Sequence, residues 1–119
     1  MSKRSYKELK VWQKAMNLVE EVYKLTESLP KEERFGLSSQ MRQAAVSIPS
    51  NIAEGRYRSS KKEFVRFLYN AFGSGGELET QIEISKQLGY LSEDESKAVD
   101  EMLIEVMKML NSMIREMEG

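Results

Sequence analysis

Apolar residues recur three and four positions apart along most of the chain, the spacing that gathers side chains on one face of an α-helix. Leu9, Trp12, Met16, Val19 and Tyr23 form one such stripe, and Val11, Ala15, Leu18, Val22, Leu25 and Leu29 form a second beside it. The pattern predicts a helix over residues 6–28. Ser5 and Glu8 are spaced for a capping box at its start, and Pro30 closes it. A helix with two adjoining apolar stripes keeps little of its circumference in water. It either sits deep in a bundle or faces a second subunit.

Three more helices follow. Leu37, Met41, Ala44, Ala45, Ile48 and Ile52 predict one over 37–55, in which Pro49 bends or divides the helix and Gly55 is the left-handed residue just past its end. Asn51, or a nearby serine, is placed to bond the carbonyl that Pro49 leaves unpaired, and Glu54 to pair with Arg58. Phe64, Phe67, Leu68, Ala71, Leu78, Ile82, Ser85 and Leu88 predict a helix over 61–88, capped by Ser60 and Glu63. Val99, Leu103, Val106, Leu110, Met113 and Met117 predict the last over 93–117, with a capping box of Ser92 and Glu95 and a turn through Gly89 before it. Four long helices with short connections make an all-α, antiparallel up-and-down four-helix bundle, a single domain over 1–119.

Two features of the pattern carry a chemical alternative. The run Gly73-Ser-Gly-Gly76 interrupts the third helix and reads as close helix packing. A phosphate cradle would need a strand before the glycines and a Gly-Lys-Ser/Thr after them, and neither is there. The many methionines read as adaptable packing rather than as a ligand groove.

Charge changes the picture more than composition does. The net charge of -1 hides an uneven distribution. Lys3, Arg4, Lys7, Lys10 and Lys14 crowd the N-terminus, and Arg56, Arg58, Lys61, Lys62 and Arg66 crowd the junction of the second and third helices. The fourth helix is acidic. The chain has no histidine, and none of its residues is cysteine. That removes imidazole and thiolate catalysis, disulfides and the usual zinc ligands. A carboxylate site built from Glu54, Glu77, Glu79 and Glu83 is the remaining enzymatic option, but di-metal bundles use Glu-x-x-His motifs that this chain lacks. The expectation is a protein that is not an enzyme and takes no cofactor or metal. No apolar run approaches the ~20 residues of a membrane span, and no apolar segment follows the N-terminal charges, which points to a cytoplasmic protein with no membrane contact.

The motifs also carry a resemblance. Leu9-x-x-Trp12-x-x-Ala15, Phe35-Gly-Leu-x-x-Gln40-x-Arg42-x-Ala44, Ser47-Ile-Pro-x-Asn51-Ile-Ala-Glu-Gly55 and Ala71-x-Gly73-Ser74-x-x-Glu77-Leu78-x-Thr80 occur in this order and spacing, ending in Leu88-Gly-Tyr-Leu91. Together they resemble the family named for proteins encoded in intervening sequences of bacterial 23S ribosomal RNA genes. The resemblance implies a four-helix protomer that assembles into a ring-shaped homopentamer. It also implies a relationship to the accessory variability determinant of diversity-generating retroelements, a strongly basic protein that binds RNA or DNA and a reverse transcriptase. With a pI near 5.7 this chain departs from that basic character.

Two functional readings follow. In the first, the protein is an oligomeric nucleic-acid-associated accessory or scaffold protein. Arg56, Arg58, Lys61, Lys62 and Arg66 form its binding patch, with Lys3, Arg4, Lys7 and Lys10 as a secondary basic zone. In the second, it is a structural or protein-interaction module, and these charges are solvated faces.

Overall fold

The computed structural model, which describes residues 5–119, starts the first helix four residues later than the apolar pattern suggests. Leu9 is extended (ψ 125°), so α1 runs over Lys10–Thr26 behind a separate 3₁₀ turn, Tyr6–Glu8. Ser5 caps that turn through Lys7 N–H and forms no box with Glu8. The break lets the Tyr6 ring fold back onto Trp12, 5.3 Å away and edge to face. At the other end the helix tightens into 3₁₀ hydrogen bonds through Leu29 and stops at Pro30.

The second helix also differs from expectation. α2 spans Leu37–Arg56 as one uninterrupted α-helix, with Pro49 inside it and buried. Asn51 donates to the Ser47 carbonyl (2.8 Å) and hydroxyl (2.9 Å), not to the Ala45 carbonyl that faces the proline ring. Gly55 is not a left-handed stop, since it lies within the helix and only Gly89 has a positive φ among the described residues. Its role is close approach. A Cβ at Gly55 would lie 2.7 Å from Phe67 Cβ and 3.0 Å from Phe64 Cδ1, so the glycine lets α2 touch the third helix.

α3 (Lys61–Gln87) and α4 (Glu93–Glu118) begin at the predicted caps, but with different completeness. Ser92 and Glu95 form the full reciprocal box. Ser60 accepts from Glu63 N–H, while the Glu63 carboxylate turns to Arg66 instead of returning to the cap. Gly89 (φ 79°) ends α3 as foreseen: its N–H reaches the Lys86 carbonyl and Tyr90 N–H reaches that of Ser85. Of the glycine run, only Gly75 is buried against a neighbour, where a Cβ would run into the Met107 side chain. Gly73 and Gly76 meet nothing within 4 Å.

Contacts across the helices run in opposite chain sense. Ser47 meets Ser74 and Met41 meets Ser85 between α2 and α3. Tyr69 meets Glu118 and Lys86 meets Asp100 between α3 and α4. Lys14 pairs with Glu105, so α4 closes on α1, and the elongated body measures 50 × 23 × 20 Å. Of the two stripes on α1, only Val11–Leu29 is the core stripe: Ala15, Leu18 and Val22 are wholly buried. On α4 the core takes Ile114 where Met113 was expected, and Met113 and Met117 pack at its edge.

Lys86 ties the α3 end to α4. Its ammonium lies 2.9 Å from Asp100, 3.2 Å from Glu93 and 3.3 Å from Glu83. The hydrogen bond that it donates to Asp100 is the main cause that raises its pKa above the ordinary lysine value. A raised folded-state pKa means stability that is complete below the unfolded value and is lost as pH climbs through the folded one. Lys86→Met is therefore expected to cost about 2 kcal/mol at pH 7 in urea unfolding. Its deficit against wild type should narrow once the pH passes 10.5.

Candidate nucleic-acid interface

The antiparallel course of α1 and α2 brings the N-terminal basic zone to the end of the bundle where the second basic run lies. The Tyr6 and Tyr57 rings, 5.8 Å apart, mark the meeting point. Lys7 and Lys10 thus share an end with Arg56, Arg58, Lys61, Lys62 and Arg66; Lys3 and Arg4 lie outside the described residues. Arg56 is the last residue of α2, and Lys61 the first of α3, so the patch spans a helix exit, a tight connection and a helix entry. The first N–H groups of α3 add partial positive charge there, which the terminal carbonyls of α2 oppose.

Several of these cations are held in place. Arg58 pairs with Glu54 at 2.7 Å, as the i, i+4 spacing predicts. Arg66 grips Glu63 with two hydrogen bonds, 3.0 and 3.2 Å, and that contact pulls the Glu63 carboxyl below its usual value. Three guanidinium groups also lie over aromatic rings: Arg56 over Phe64 (5.6 Å), and Arg58 (4.8 Å) and Arg66 (4.6 Å) over Phe67. Such contacts fix a cation without neutralising it. Lys61 and Lys62 stand exposed beside them. The acids of the last turn of α4 reach the same region, where Tyr69 donates to Glu118 (3.0 Å). The opposite end is acidic, carrying Glu32 and Glu33 in a 3₁₀ turn and Glu93, Asp94 and Glu95 in the first turn of α4. Lysine and arginine are thus concentrated at one end, together with Glu54, Glu63 and Glu118, and acids at the other.

Two features escaped the apolar pattern. Tyr57 sits between Arg56 and Arg58 with 79 % of its surface exposed, so the basic patch has an aromatic face at its centre. The Arg-Tyr-Arg triplet was the visible signal. The other is Phe35, 87 % exposed, alone in a polar connection. It borders a cleft of about 530 Å³ between α1 and α2 that also holds Tyr23, Arg42 and Val46. Val46 joins this cleft to a second one, of about 340 Å³, lined by Met16, Val19, Pro49 and Ala53. The second α1 stripe therefore lines an open groove that is apolar around Met16, Val19 and Pro49 and polar around Arg34, Arg42 and Gln43.

Glu54 is taken by Arg58 and Glu83 by Lys86. Glu77 borders a polar hollow with Gln40, Gln43 and Ser47. Among the described residues no three acidic side chains are grouped to hold a metal ion. No described helix is long and apolar enough to cross a membrane.

Comparison with known proteins supplies the context. A family model described as 23S rRNA-intervening sequence protein matches residues 7–112. Among solved structures, the chain is similar to a protein of unknown function from the S23 ribosomal protein family of Bacteroides thetaiotaomicron. The TM-score is 0.80 at 25 % identity, over 87 % of this chain and 97 % of that one. No curated protein matches the sequence.

Proposed function

This chain belongs to the 23S rRNA-intervening sequence protein family, and from that premise we propose that it is a non-enzymatic, self-assembling scaffold that binds nucleic acid through its basic end. The observation that carries the reading is the meeting of Lys7 and Lys10 with the second basic run at the end marked by Tyr6 and Tyr57. Separate in sequence, they share one end of the bundle, and phosphate contacts from lysine and arginine supply most non-specific nucleic-acid affinity. Part of the compensating acid, in the α3–α4 turn, lies at the far end, while Glu54, Glu63 and Glu118 share the basic one.

Assembly as a ring-shaped homopentamer, which the family resemblance implies, would repeat the basic end five times and convert weak single contacts into avid binding. The α1–α2 groove supports self-association: Met16, Tyr23 and Val46 are each about 40 % exposed on one long helix pair, more apolar surface than a lone bundle needs to leave in water. Of the partners that the resemblance implies, nucleic acid is the one addressed by this chemistry.

The test is a binding titration with short RNA and DNA oligonucleotides at rising salt. Lys61→Glu with Lys62→Glu is expected to weaken binding about a hundredfold at ~50 mM salt and to flatten the log K against log salt slope by about 1.4, two lost phosphate contacts on a single strand. Wild-type protein that binds neither oligonucleotide at low salt would overturn the reading in favour of a protein-interaction module. One observation favours that second reading: Glu54 and Glu63 already occupy two of the patch arginines.

A further inference from the structure

Resting on the basic-end reading, we infer that the ligand is single-stranded nucleic acid and that Tyr57 is the platform on which an unpaired base stacks. Three observations carry this. The Tyr57 ring is 79 % exposed at the centre of the patch. Its position is fixed, since Tyr6, itself held edge to face by Trp12, contacts it at 5.8 Å. Its flanking cations are fixed as well: Arg56 and Arg58 lie over Phe64 and Phe67, so the charges on either side of the ring are presented at set places.

An exposed ring between ordered cations is the arrangement that serves a single strand. Cations track the backbone, and an aromatic face takes a base of any identity, because every base has a π-face. A duplex offers no free base face to that ring. Its major groove, about 12 Å wide, admits one helix or a two-stranded ribbon. Here the helices run side by side in a body 23 × 20 Å across. Lys61 and Lys62, the first two residues of α3 and four and five positions beyond the ring, are then placed to meet phosphates beside the stacked base.

The α1–α2 cleft has its own exposed ring, Phe35, with Arg34 and Arg42, but it lies at the start of α2, away from the end where the basic runs converge. The hollow bounded by Gln40, Gln43, Ser47 and Glu77 offers an acid and neutral amides, without a cation for a phosphate.

The experiment measures binding of fluorescent oligouridine and of a matched duplex to the full chain, as wild type, Tyr57→Ala, Tyr57→Phe and Lys61→Glu/Lys62→Glu. Wild type should prefer the single strand. Tyr57→Ala should weaken single-strand binding about tenfold and leave duplex binding unchanged, while Tyr57→Phe, which keeps the ring, should bind as wild type does. If Tyr57→Ala binds oligouridine normally while the lysine reversals abolish binding, or if the duplex binds as tightly as the single strand, the stacking inference is overturned and the basic-end reading stands. If neither nucleic acid binds wild type, both are overturned.

Discussion

Gly55→Leu is expected to lower the unfolding free energy by about 3 kcal/mol or more, the upper part of the range for overpacked cores. At this chain length that is a fall of roughly 12 °C in melting temperature at fixed protein concentration. The reason is steric. Even the Cβ would sit 2.7 Å from Phe67 Cβ, an atom anchored to the α3 backbone that cannot rotate away. Helix propensity alone predicts the opposite sign, since replacing a glycine within a helix gains up to about 1 kcal/mol, and less in its last turn. The two effects separate at the other glycines of the bundle. Gly73→Ala and Gly76→Ala meet no neighbour within 4 Å and should each raise stability by up to about 1 kcal/mol. Thermal or urea unfolding of the three variants decides the matter, because the contact model requires Gly55 to move one way and the other two the opposite way.

The second large effect concerns assembly. Val46→Glu should convert a particle of about five times the 13.7 kDa protomer into the protomer itself, as read by light scattering on a size-exclusion column. Val46 joins the two clefts between α1 and α2, and it is 40 % exposed, so glutamate there disturbs no core. Glutamate is also the better helix former, so the protomer should keep its helical content and its melting behaviour in the dilute limit. A buried carboxylate in an apolar subunit contact, by contrast, costs several kcal/mol unless paired. Wild type that runs as a monomer would remove the ring and its avidity. An assembled Val46→Glu variant would move the contact to another face.

Much of the fold was legible because its signals are local. The stripes from Val11 to Leu29 and from Val99 to Leu110 are buried as their spacing requires. The Ser92–Glu95 box and the turn at Gly89 each form within six residues of chain. The Glu54–Arg58 pair is a one-turn contact on a single helix. What the sequence obscured depends on tertiary register. Gly55 looks like a helix stop because it precedes a polar run; that it seats Phe67 is apparent only once α2 and α3 are laid side by side. Pro49 looks like a break, yet α2 continues through it with the proline buried in the packed face. At Leu9 the extended backbone serves a distant contact, that of Tyr6 with Trp12 and Tyr57.

The candidate site shows the same division. Both basic runs were visible as charge clusters, but their sharing of one end follows from the antiparallel pairing of α1 and α2, a property of neither run alone. The two stripes on α1 likewise left two options open, and burial separates them: one stripe is core, and the other lines the outer groove with Met16 and Tyr23 each 41 % exposed. Phe35 and Tyr57 were inconspicuous because an isolated aromatic in a polar segment carries no periodicity. Their exposure is what gives them weight.

The central claim is that nucleic acid sits on the end of the bundle where Tyr6, Tyr57 and the two basic runs converge. Photochemical cross-linking of bound oligouridine, followed by mass spectrometric mapping of the modified peptides, tests it most directly. The account predicts adducts on the segment around Tyr57 and on the turn containing Tyr6, lost at high salt. Adducts confined to the opposite end, around Tyr90 and the start of α4, would contradict it.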